Sequence, residues 1–354
     1  MLNTLQIKAF DYHKATEREF SLLNEFNNRI RQEYWPEDQP LTLEETIQNL
    51  RATPAFSDLR LWTAWTPDRS KIVGRASATI MRTEDNQHLM YFDIVVLSEL
   101  RRQGLAKRLL THIATVARTE NRRVLQTDTD SKIPSGETFM KRLGARMGLR
   151  SRTNQLRIAE LDKNLIRRWT ENAPTDEFEL GLWNGAYPEA EIGAIAKMID
   201  VMNAQPKDNL EQEDWHWTPE EIRQWQKSLA ERKTEQWTIY ARDRKTRELA
   251  GYTEVFWNPH HSENLNQGDT GVLPKFRNKG LGRWLKATML EKVLHERPYV
   301  KRIRTGNANS NAPMLAINNE LGFKPYKDWS TWQVELNQML EYLEEKTLVS
   351  QNRT

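Results

Sequence analysis

Two short segments with an arginine and a glycine at fixed spacing carry the clearest chemical signal in the sequence. One is RRQGLA at residues 101–106, and the other is RNKGLG at residues 277–282. Each follows an apolar stretch and precedes apolar residues at helical spacing. A glycine at such a junction lets the main chain approach a ligand closely, and the N–H groups and dipole of the opening helix attract anions. The pattern therefore predicts a site for a pyrophosphate.

Neither segment fits the commonest phosphate-binding motifs. The spacing departs from the Gly-x-Gly-x-x-Gly pattern of dinucleotide-binding folds, and no acidic residue follows at the end of a second parallel strand. No Gly-Lys-Ser/Thr sequence follows either, which separates both segments from a P-loop.

The two segments belong to a longer internal repeat. Residues 91–110 (YFDIVVLSELRRQGLAKRLL) align without a gap with residues 267–286 (QGDTGVLPKFRNKGLGRWLK), so that Asp93 matches Asp269 and Gly104 matches Gly280. Upstream, WTAW at 62–65 pairs with WTIY at 237–240, and downstream LG at 143–144 pairs with LG at 321–322. Because order and spacing are kept throughout, we expect two copies of one domain.

Each copy shows the same succession of predicted elements. A strand and two helices precede alternating strands, the glycine segment with its helix, a further strand, a short helix and closing strands, which the first copy ends as a strand pair, GARMGLR and NQLRIAEL. This succession predicts an α/β (α+β) fold in which a mixed, mostly antiparallel sheet is flanked by helices. We place the domains at residues 1–160 and 175–340, a linker at 161–174 and a tail at 341–354.

Composition excludes several classes of protein. The 354 residues include no cysteine, which excludes disulfides, thiolate nucleophiles and cysteine metal sites. A net charge of +3, with both signs mixed along the chain, gives no reason to expect nucleic acid. Without a signal-peptide core or an apolar run of roughly 20 residues, we expect a cytoplasmic protein with no membrane partner. His260 and His261 are expected to be exposed, and no metal site is expected.

In this succession the glycine segments resemble the signature of the GNAT superfamily of N-acetyltransferases, Gln/Arg-x-x-Gly-x-Gly/Ala at the start of the helix after the fourth strand. The likeness extends to VKRIRTGNANSNAPMLAINNELGF at residues 300–323, which is similar to the family's fifth strand and following helix. The tandem arrangement is similar to that of mycothiol synthase. The resemblance implies acetyl-CoA as co-substrate, its pyrophosphate on the glycine turn and its pantetheine arm between splayed fourth and fifth strands.

The resemblance also implies which residues hold the cofactor. In the second copy these are Val272, Leu273, Arg277, Asn278, Lys279, Gly280, Leu281, Gly282, Asn307 and Asn311, and in the first copy they are Val96, Arg101, Gly104 and Ala106. A main-chain N–H near residues 272–273 would stabilise the oxyanion that develops on the thioester.

The second copy is the favoured catalytic copy. Asn307, Asn309 and Asn311 follow its fifth strand, where the family often uses an asparagine, and the first copy has Thr129, Ser131 and Ile133 there. The first copy is then degenerate, structural or substrate-shaping, and its binding of acetyl-CoA stays open. The asparagines have a second interpretation as a loop and a helix cap before Pro313.

The catalytic residues follow the family pattern less closely. Its usual tyrosine acid is replaced by Asn318 and, in the first copy, by Met140, which leaves Tyr326 as a candidate acid. Glu254, in the strand GYTEVFW, is a candidate base because aromatic neighbours would raise its pKa, and Asp269 is a candidate because it lies on the fourth strand next to the expected thioester site. Glu254 on a solvent face and a structural Asp269 remain alternatives.

The leading hypothesis is direct transfer of the acetyl group of acetyl-CoA to a primary amine of a small molecule. The loop with Trp215 and Trp217 is either an acidic, aromatic lid over that amine or a solvated loop with one docked tryptophan. The alternatives are a protein or peptide N-acetyltransferase and a non-catalytic acyl-CoA-binding module. The acceptor and the oligomeric state stay open.

Overall fold

The computed structural model describes residues 4–351, with side chains through residue 344, so the end of the expected tail at 341–354 lies outside the described residues. The chain forms two compact units. Unit 1 comprises Met1–Arg150, Lys207–Glu213 and Trp329–Thr354. Unit 2 comprises Ser151–Pro206 and Asp214–Asp328. Each unit thus contains most of one predicted copy.

Helices and strands alternate through the described chain. The helices are α1 (Glu17–Tyr34), α2 (Leu43–Arg51), α3 (Leu105–Thr119), α4 (Pro134–Arg142), α5 (Lys163–Glu171), α6 (Ile192–Ile199), α7 (Pro219–Glu231), α8 (Leu281–Glu296), α9 (Ala312–Glu320) and α10 (Leu336–Gln351). The strands are β1 (Gln6–Ala9), β2 (Ser57–Trp65), β3 (Ile72–Met81), β4 (Leu89–Val96), β5 (Val124–Asp130), β6 (Arg146–Arg157), β7 (Phe178–Asn184), β8 (Glu235–Asp243), β9 (Leu249–Trp257), β10 (Asn264–Val272), β11 (Arg302–Ala308) and β12 (Lys324–Glu335). Among the described helices, none is both long and apolar enough to cross a membrane.

Unit 1 is built on a sheet in the order β1-β2-β3-β4-β5-β12. Only the β4–β5 pair is parallel, and residues 329–335 of β12 close the sheet against β5 in antiparallel register. Helix α3 packs on β3 and β4. Its Leu109, Leu110 and Ile113 are completely buried and form the centre of the core of this unit.

Unit 2 repeats the arrangement in the order β6-β11-β10-β9-β8-β7. The β10–β11 pair is parallel and its neighbours are antiparallel, with residues 151–157 of β6 pairing with β11. Helix α8 packs between this sheet and α5. A separate cluster of buried side chains, among them Ile195, Ile222 and Tyr252, lies under α6 and α7. The mixed, mostly antiparallel sheet with flanking helices predicted for each copy is thus confirmed.

The structure differs from the sequence-based expectation in the last strand of each sheet. Residues 146–157 form one continuous strand and not the expected strand pair, and residues 151–157 belong to unit 2. Unit 1 is closed instead by residues 329–335. Local sequence does not choose between these partners, because any extended segment offers the same main-chain donors and acceptors to an open edge. The expected linker at 161–174 contains α5, whose Ile166 is buried.

Candidate active site

Both glycine segments form the turn that anion binding requires. Gly104 and Gly280 are the N-caps of α3 and α8, with φ of 93° and 80°. A Cβ atom at either glycine would meet no heavy atom within 4 Å, so the space before each helix is open. The preceding Arg102 and Asn278 also have positive φ, 63° in each case. Positive φ favours glycine, and the open N-terminus leaves the helix N–H groups free to face a phosphate, so both turns fit the pyrophosphate of acetyl-CoA.

The recurring arginine ties each turn to the end of a strand. Arg101 Nε donates to the Val96 carbonyl at 2.9 Å, and Arg277 Nε donates to the Val272 carbonyl at 3.0 Å. Arg101 also forms an ion pair with Glu33. A cation is unfavourable at a helix N-terminus, so its recurrence is explained by these main-chain contacts. These contacts give both arginines a role in packing, and cofactor binding by them stays a prediction.

The strands beside each turn diverge as the resemblance implies. In unit 2, β10 and β11 pair only from Asn264↔Arg302 to Asn266↔Arg304, although β10 continues to Val272. In unit 1, β4 and β5 pair only over residues 89–91 and 124–126. Leu273 N–H donates to the Ala250 carbonyl of β9, so by alternation Val272 N–H faces away from β9. An extended pantetheine arm fits that edge as an added strand would.

The other side chains of the second glycine segment have structural contacts. Leu281 is buried in the core of unit 2, and Lys279 forms an ion pair with Glu177. Gly282 lies in the first turn of α8, where a Cβ would be 3.5 Å from Ile317. The matching Ala106 packs against the core of unit 1. A cofactor would therefore be held at this turn mainly by main-chain N–H groups.

The asparagines after β11 are used within the fold. Asn311 is the N-cap of α9 and accepts a hydrogen bond from Met314 N–H. Asn307 accepts a bond of 2.8 Å from the side chain of Asn318, which is 1% exposed. Asn309 is exposed. These contacts support the loop-and-cap interpretation, and cofactor binding by Asn307 and Asn311 stays a prediction.

Glu254 and Asp269 lie together at an irregularity of β10. The register between β9 and β10 shifts between Gln267 and Thr270, so Gly268 and Asp269 both face Glu254. Asp269 N–H is 3.4 Å from Glu254 Oε1. A Cβ on Gly268 would be 3.0 Å from the same oxygen. The glycine therefore leaves room for the carboxylate at the point where β10 departs from β11.

The surroundings of the two carboxylates favour proton uptake. Burial, followed by repulsion from Asp269, raises the pKa of Glu254 to about 8. Burial also raises the pKa of Asp269, opposed by Tyr252 and Gln205. Glu254 is only partly accessible and faces Asp269, which argues against the solvent-face alternative. A carboxylate with a pKa near neutrality is suited to general base catalysis.

Two residues of this site, Gln236 and Tyr187, were not predicted from the sequence. Gln236 Nε2 donates to Glu254 Oε2 at 2.8 Å and to the Tyr187 hydroxyl at 3.0 Å. That hydroxyl is 3.2 Å from Thr238 Oγ1. The alternation of QWTIYA already places Gln236, Thr238 and Tyr240 on one face of β8. No sequence signal marks Tyr187, which lies in the loop after β7.

Unit 1 places different side chains at the matching positions. Asp93 forms an ion pair of 3.0 Å with Arg75, which stands where unit 2 has Tyr252. Ser77, the match of Glu254, lies opposite Asp93 in an unbroken register. Unit 1 therefore has one carboxylate beside a cation where unit 2 has two carboxylates together.

Tyr326, Trp215 and Trp217 have other surroundings. The Arg304 guanidinium lies 4.7 Å from the centre of the Tyr326 ring, while Glu254 and Asp269 lie on β9 and β10. Trp215 and Trp217 are tilted against each other at 5.8 Å, and Trp217 packs against the cluster under α6 and α7. This favours a docked tryptophan. His260 and His261 are partly buried and not exposed as expected, because they lie in a turn against the end of β9.

Comparison with known proteins agrees with this geometry. The sequence profile of the acetyltransferase (GNAT) family matches residues 24–145 and again residues 200–323. A tandem GNAT protein from the clavulanic acid biosynthesis pathway has a similar structure, with a TM-score of 0.76 and 22% identity over 94% of this chain and 98% of its own. A GCN5-related N-acetyltransferase from Sphaerobacter thermophilus has a TM-score of 0.65 and 11% identity over 94% and 96%. No curated protein matches by sequence.

Two domains with a glycine turn at a helix N-terminus and a splayed strand pair define a tandem acyltransferase. The chain belongs to the acetyltransferase (GNAT) family, whose profile covers both halves. The resemblance noted from the sequence and the expectation of an acyltransferase are thus confirmed.

Proposed function

We propose that the protein is an N-acetyltransferase that moves the acetyl group of acetyl-CoA directly to a primary amine of a small molecule, in unit 2. The observation that carries this proposal is the pair Glu254 and Asp269 at the open end of β10, beside the edge that fits a pantetheine arm. The matching residues of unit 1 offer no such pair, since Asp93 has Arg75 as its partner.

In this mechanism Glu254 removes a proton from the ammonium form of the acceptor. The free amine attacks the thioester carbon, a C–N bond forms, and the C–S bond breaks as the thiolate of coenzyme A leaves. Val272 N–H, on the edge of β10 that faces away from β9, stabilises the oxyanion in this proposal. The thiolate takes its proton from solvent or from the amine, because Asn318 replaces the family's tyrosine acid.

The side chains around the pair suit a cationic acceptor. Two adjacent carboxylates attract an ammonium group, and the aromatic residues Tyr187, Tyr240 and Tyr252 lie on the same side of the sheet. Gln236 and Tyr187 also line a cavity of about 730 Å³ in unit 2, although Glu254 and Asp269 are not part of its lining. The paired carboxylates and the aromatic rings are the features that support a small amine as the substrate class.

The first test is titration calorimetry of acetyl-CoA into the wild-type protein and into the Gly280→Glu and Gly104→Glu variants. The two glycines are matched controls, because both have positive φ and open space around the missing Cβ. One site per chain, lost only in Gly280→Glu, is the expected result. Loss only in Gly104→Glu would move the cofactor to unit 1, and an absence of binding would contradict the proposal.

The second test is release of the free thiol of coenzyme A over a panel of alkyl diamines, amino sugars and amino-acid amides. The expected result is turnover with at least one of these amines. A panel of peptides with free N-termini and lysines is the matched comparison. Turnover with peptides alone would overturn the small-molecule assignment and retain the acetyltransferase.

A further inference from the structure

Unit 1 contains a cavity on the sheet side that corresponds to the carboxylate pair of unit 2. It has a volume of about 340 Å³ and lies between α1, α2 and the strands β3 and β4. Ile30, Leu50 and Val95 form an apolar part of its wall, and Tyr34 and Trp35 form an aromatic part. Its charged residues are Arg75, Asp93 and Arg31, and Arg31 is ion-paired with Asp38 at 3.2 Å. The volume is near the lower end of small-molecule sites and suits a single small metabolite.

The two charged side chains are paired with each other but remain partly accessible. Arg75 NH2 is 3.0 Å from Asp93 Oδ2, and Arg75 NH1 donates to Asn27 Oδ1 at 2.8 Å. The Arg75 side chain is 27% exposed and that of Asp93 is 44% exposed. Each terminal nitrogen of a guanidinium carries a second N–H, so Arg75 keeps donor capacity for another acceptor.

Comparison with the matching residues of unit 2 argues against a catalytic role for this cavity. Ser77 replaces the base Glu254, and the Arg75 cation next to Asp93 replaces the Tyr252 phenol next to Asp269. The position that holds the proposed base in unit 2 therefore carries a hydroxyl in unit 1. We expect a ligand in this cavity to be held and not converted.

We infer that the unit 1 cavity is a binding site for a small zwitterion, an α-amino acid with an apolar side chain. Its carboxylate accepts hydrogen bonds from Arg75, and its ammonium group donates to Asp93. Its side chain packs on Ile30, Leu50 and Val95.

The opposite charges of Arg75 and Asp93 favour a zwitterion over a simple carboxylate or a simple amine with the same side chain. A simple carboxylate would satisfy Arg75 while facing the like charge of Asp93, and a simple amine would satisfy Asp93 while facing Arg75. A zwitterion adds one charge of each sign and meets both groups with the opposite sign. Lost charge-assisted hydrogen bonds typically cost about 1.5–3 kcal/mol, which corresponds to about 10- to 100-fold in affinity.

The test is titration calorimetry of L-leucine and L-phenylalanine into the intact protein. Matched half-ligands are isoamylamine and 4-methylpentanoate for leucine, and phenethylamine and 3-phenylpropanoate for phenylalanine. The expected result is binding of at least one amino acid, with its amine and acid weaker by about 10-fold or more. Half-ligands that bind as tightly as the amino acid at a site lost in Arg75→Met or Asp93→Asn, or no binding of either amino acid, would overturn the proposal. Amine binding that persists in both variants belongs to the carboxylate pair of unit 2 and does not enter this comparison.

Variants then locate the site in unit 1. Arg75→Met and Asp93→Asn are each expected to weaken amino-acid binding by about 10-fold or more, whereas Asp269→Asn, at the matching position of unit 2, leaves it unchanged. Binding lost only in Asp269→Asn would assign the amino acid to unit 2 and overturn the proposal. Acetyl-CoA titration and thiol release are measured on the same samples, so a failure of the proposed acetyl transfer is recognised separately.

Discussion

The two copies share one fold and one glycine turn but differ in the partner of a single carboxylate. In unit 2, Asp269 lies beside Glu254, and in unit 1, Asp93 lies beside Arg75. Two like charges raise the proton affinity of the pair in unit 2. A few side chains on β3 and β4, or on β9 and β10, therefore decide whether this position of the fold presents two carboxylates or one carboxylate beside a cation.

A backbone difference accompanies the change in side chains. The β3–β4 register of unit 1 is continuous past Asp93, whereas the β9–β10 register shifts at Gly268 and Asp269. The match of Gly268 is Phe92, which is buried in the core of unit 1. In unit 2 the bulge sets both Gly268 and Asp269 opposite Glu254, whereas in unit 1 Asp93 alone lies opposite Ser77.

The largest expected effect is on the rate of the Glu254→Gln variant. Loss of the base should lower kcat/KM by about 100- to 10,000-fold, because general base catalysis typically contributes that much. Acetyl-CoA affinity should not change. Ser77→Ala is the matched variant in unit 1 and should keep the wild-type rate. Steady-state kinetics with an active amine checks this, and a Glu254→Gln enzyme of wild-type rate would remove Glu254 from the mechanism.

The second prediction compares one helix position in the two copies. Lys286 in α8 is 2% exposed, and its match Leu110 in α3 is completely buried. Burial lowers the pKa of Lys286 to about 7. Lys286→Leu should therefore raise the free energy of unfolding at pH 7 by ~2–4 kcal/mol, and Leu110→Lys should lower it by a similar amount. Urea denaturation of both variants measures the effect.

The sign of the pH dependence follows from the same lysine. The unfolded chain keeps the Lys286 proton up to its ordinary pKa of 10.5, whereas the folded chain releases it above about 7. Stability attributable to Lys286 should therefore increase from pH 7 towards pH 10.5. This increase should be absent in Lys286→Leu. A Lys286→Leu protein less stable than wild type at pH 7 would contradict the assignment of a penalty to this lysine.

The third prediction concerns the bulge. A Cβ at Gly268 would lie 2.6 Å from Phe256 and 2.9 Å from Glu254 Cγ, so Gly268→Ala must displace one of them. We expect a loss of about 10-fold in kcat/KM from the misplaced carboxylate. Gly193→Ala is the control, since its Cβ would meet nothing within 4 Å. Equal rates for the two variants would show that the close approach at Gly268 does not position Glu254.

The smallest expected effects are shifts of the pH profile. With the pKa of Glu254 raised to about 8, kcat/KM should rise with pH through that value as the base loses its proton. Asp269→Asn removes a repulsion and should move this limb to lower pH. Gln236→Leu removes a donor to the carboxylate and should move it to higher pH. Each shift should be about one pH unit, and a limb that stays in place in both variants would disprove the coupling.

Local features of the site were predictable from the sequence. The turns at Gly104 and Gly280 follow from a glycine between a strand and a helix, because positive φ and a helix start are local preferences. Glu254 was a candidate because of its aromatic neighbours in the sequence, and Asp269 because it lies on the fourth strand beside the expected thioester site. Their shared environment was not predictable, since the sequence shows neither the bulge at Gly268 nor the burial that raises the pKa of both carboxyls.

Contacts between distant segments were not predictable in the same way. Tyr187 joins the site from a loop, and Gln236 reaches Glu254 diagonally from the neighbouring strand β8, so neither contact has a local signal. The role of Arg277 also depended on where the Val272 carbonyl points after the strand has ended. Such contacts are set by sheet register and loop path, which depend on side chains far apart in the chain.

The sequence by itself determined the duplication, the two glycine turns and the class of fold, because these rest on periodicity, residue spacing and local backbone preference. Only the tertiary structure decided which strand closes each sheet and which residue partners each carboxylate. Residues 151–157 and 329–335 are both extended segments that could close either sheet, and only long-range packing assigns each one to its sheet. The same packing places Arg75 beside Asp93 and Glu254 beside Asp269. The pKa of Glu254 depends on such neighbours in space, which the order of residues in the sequence does not give.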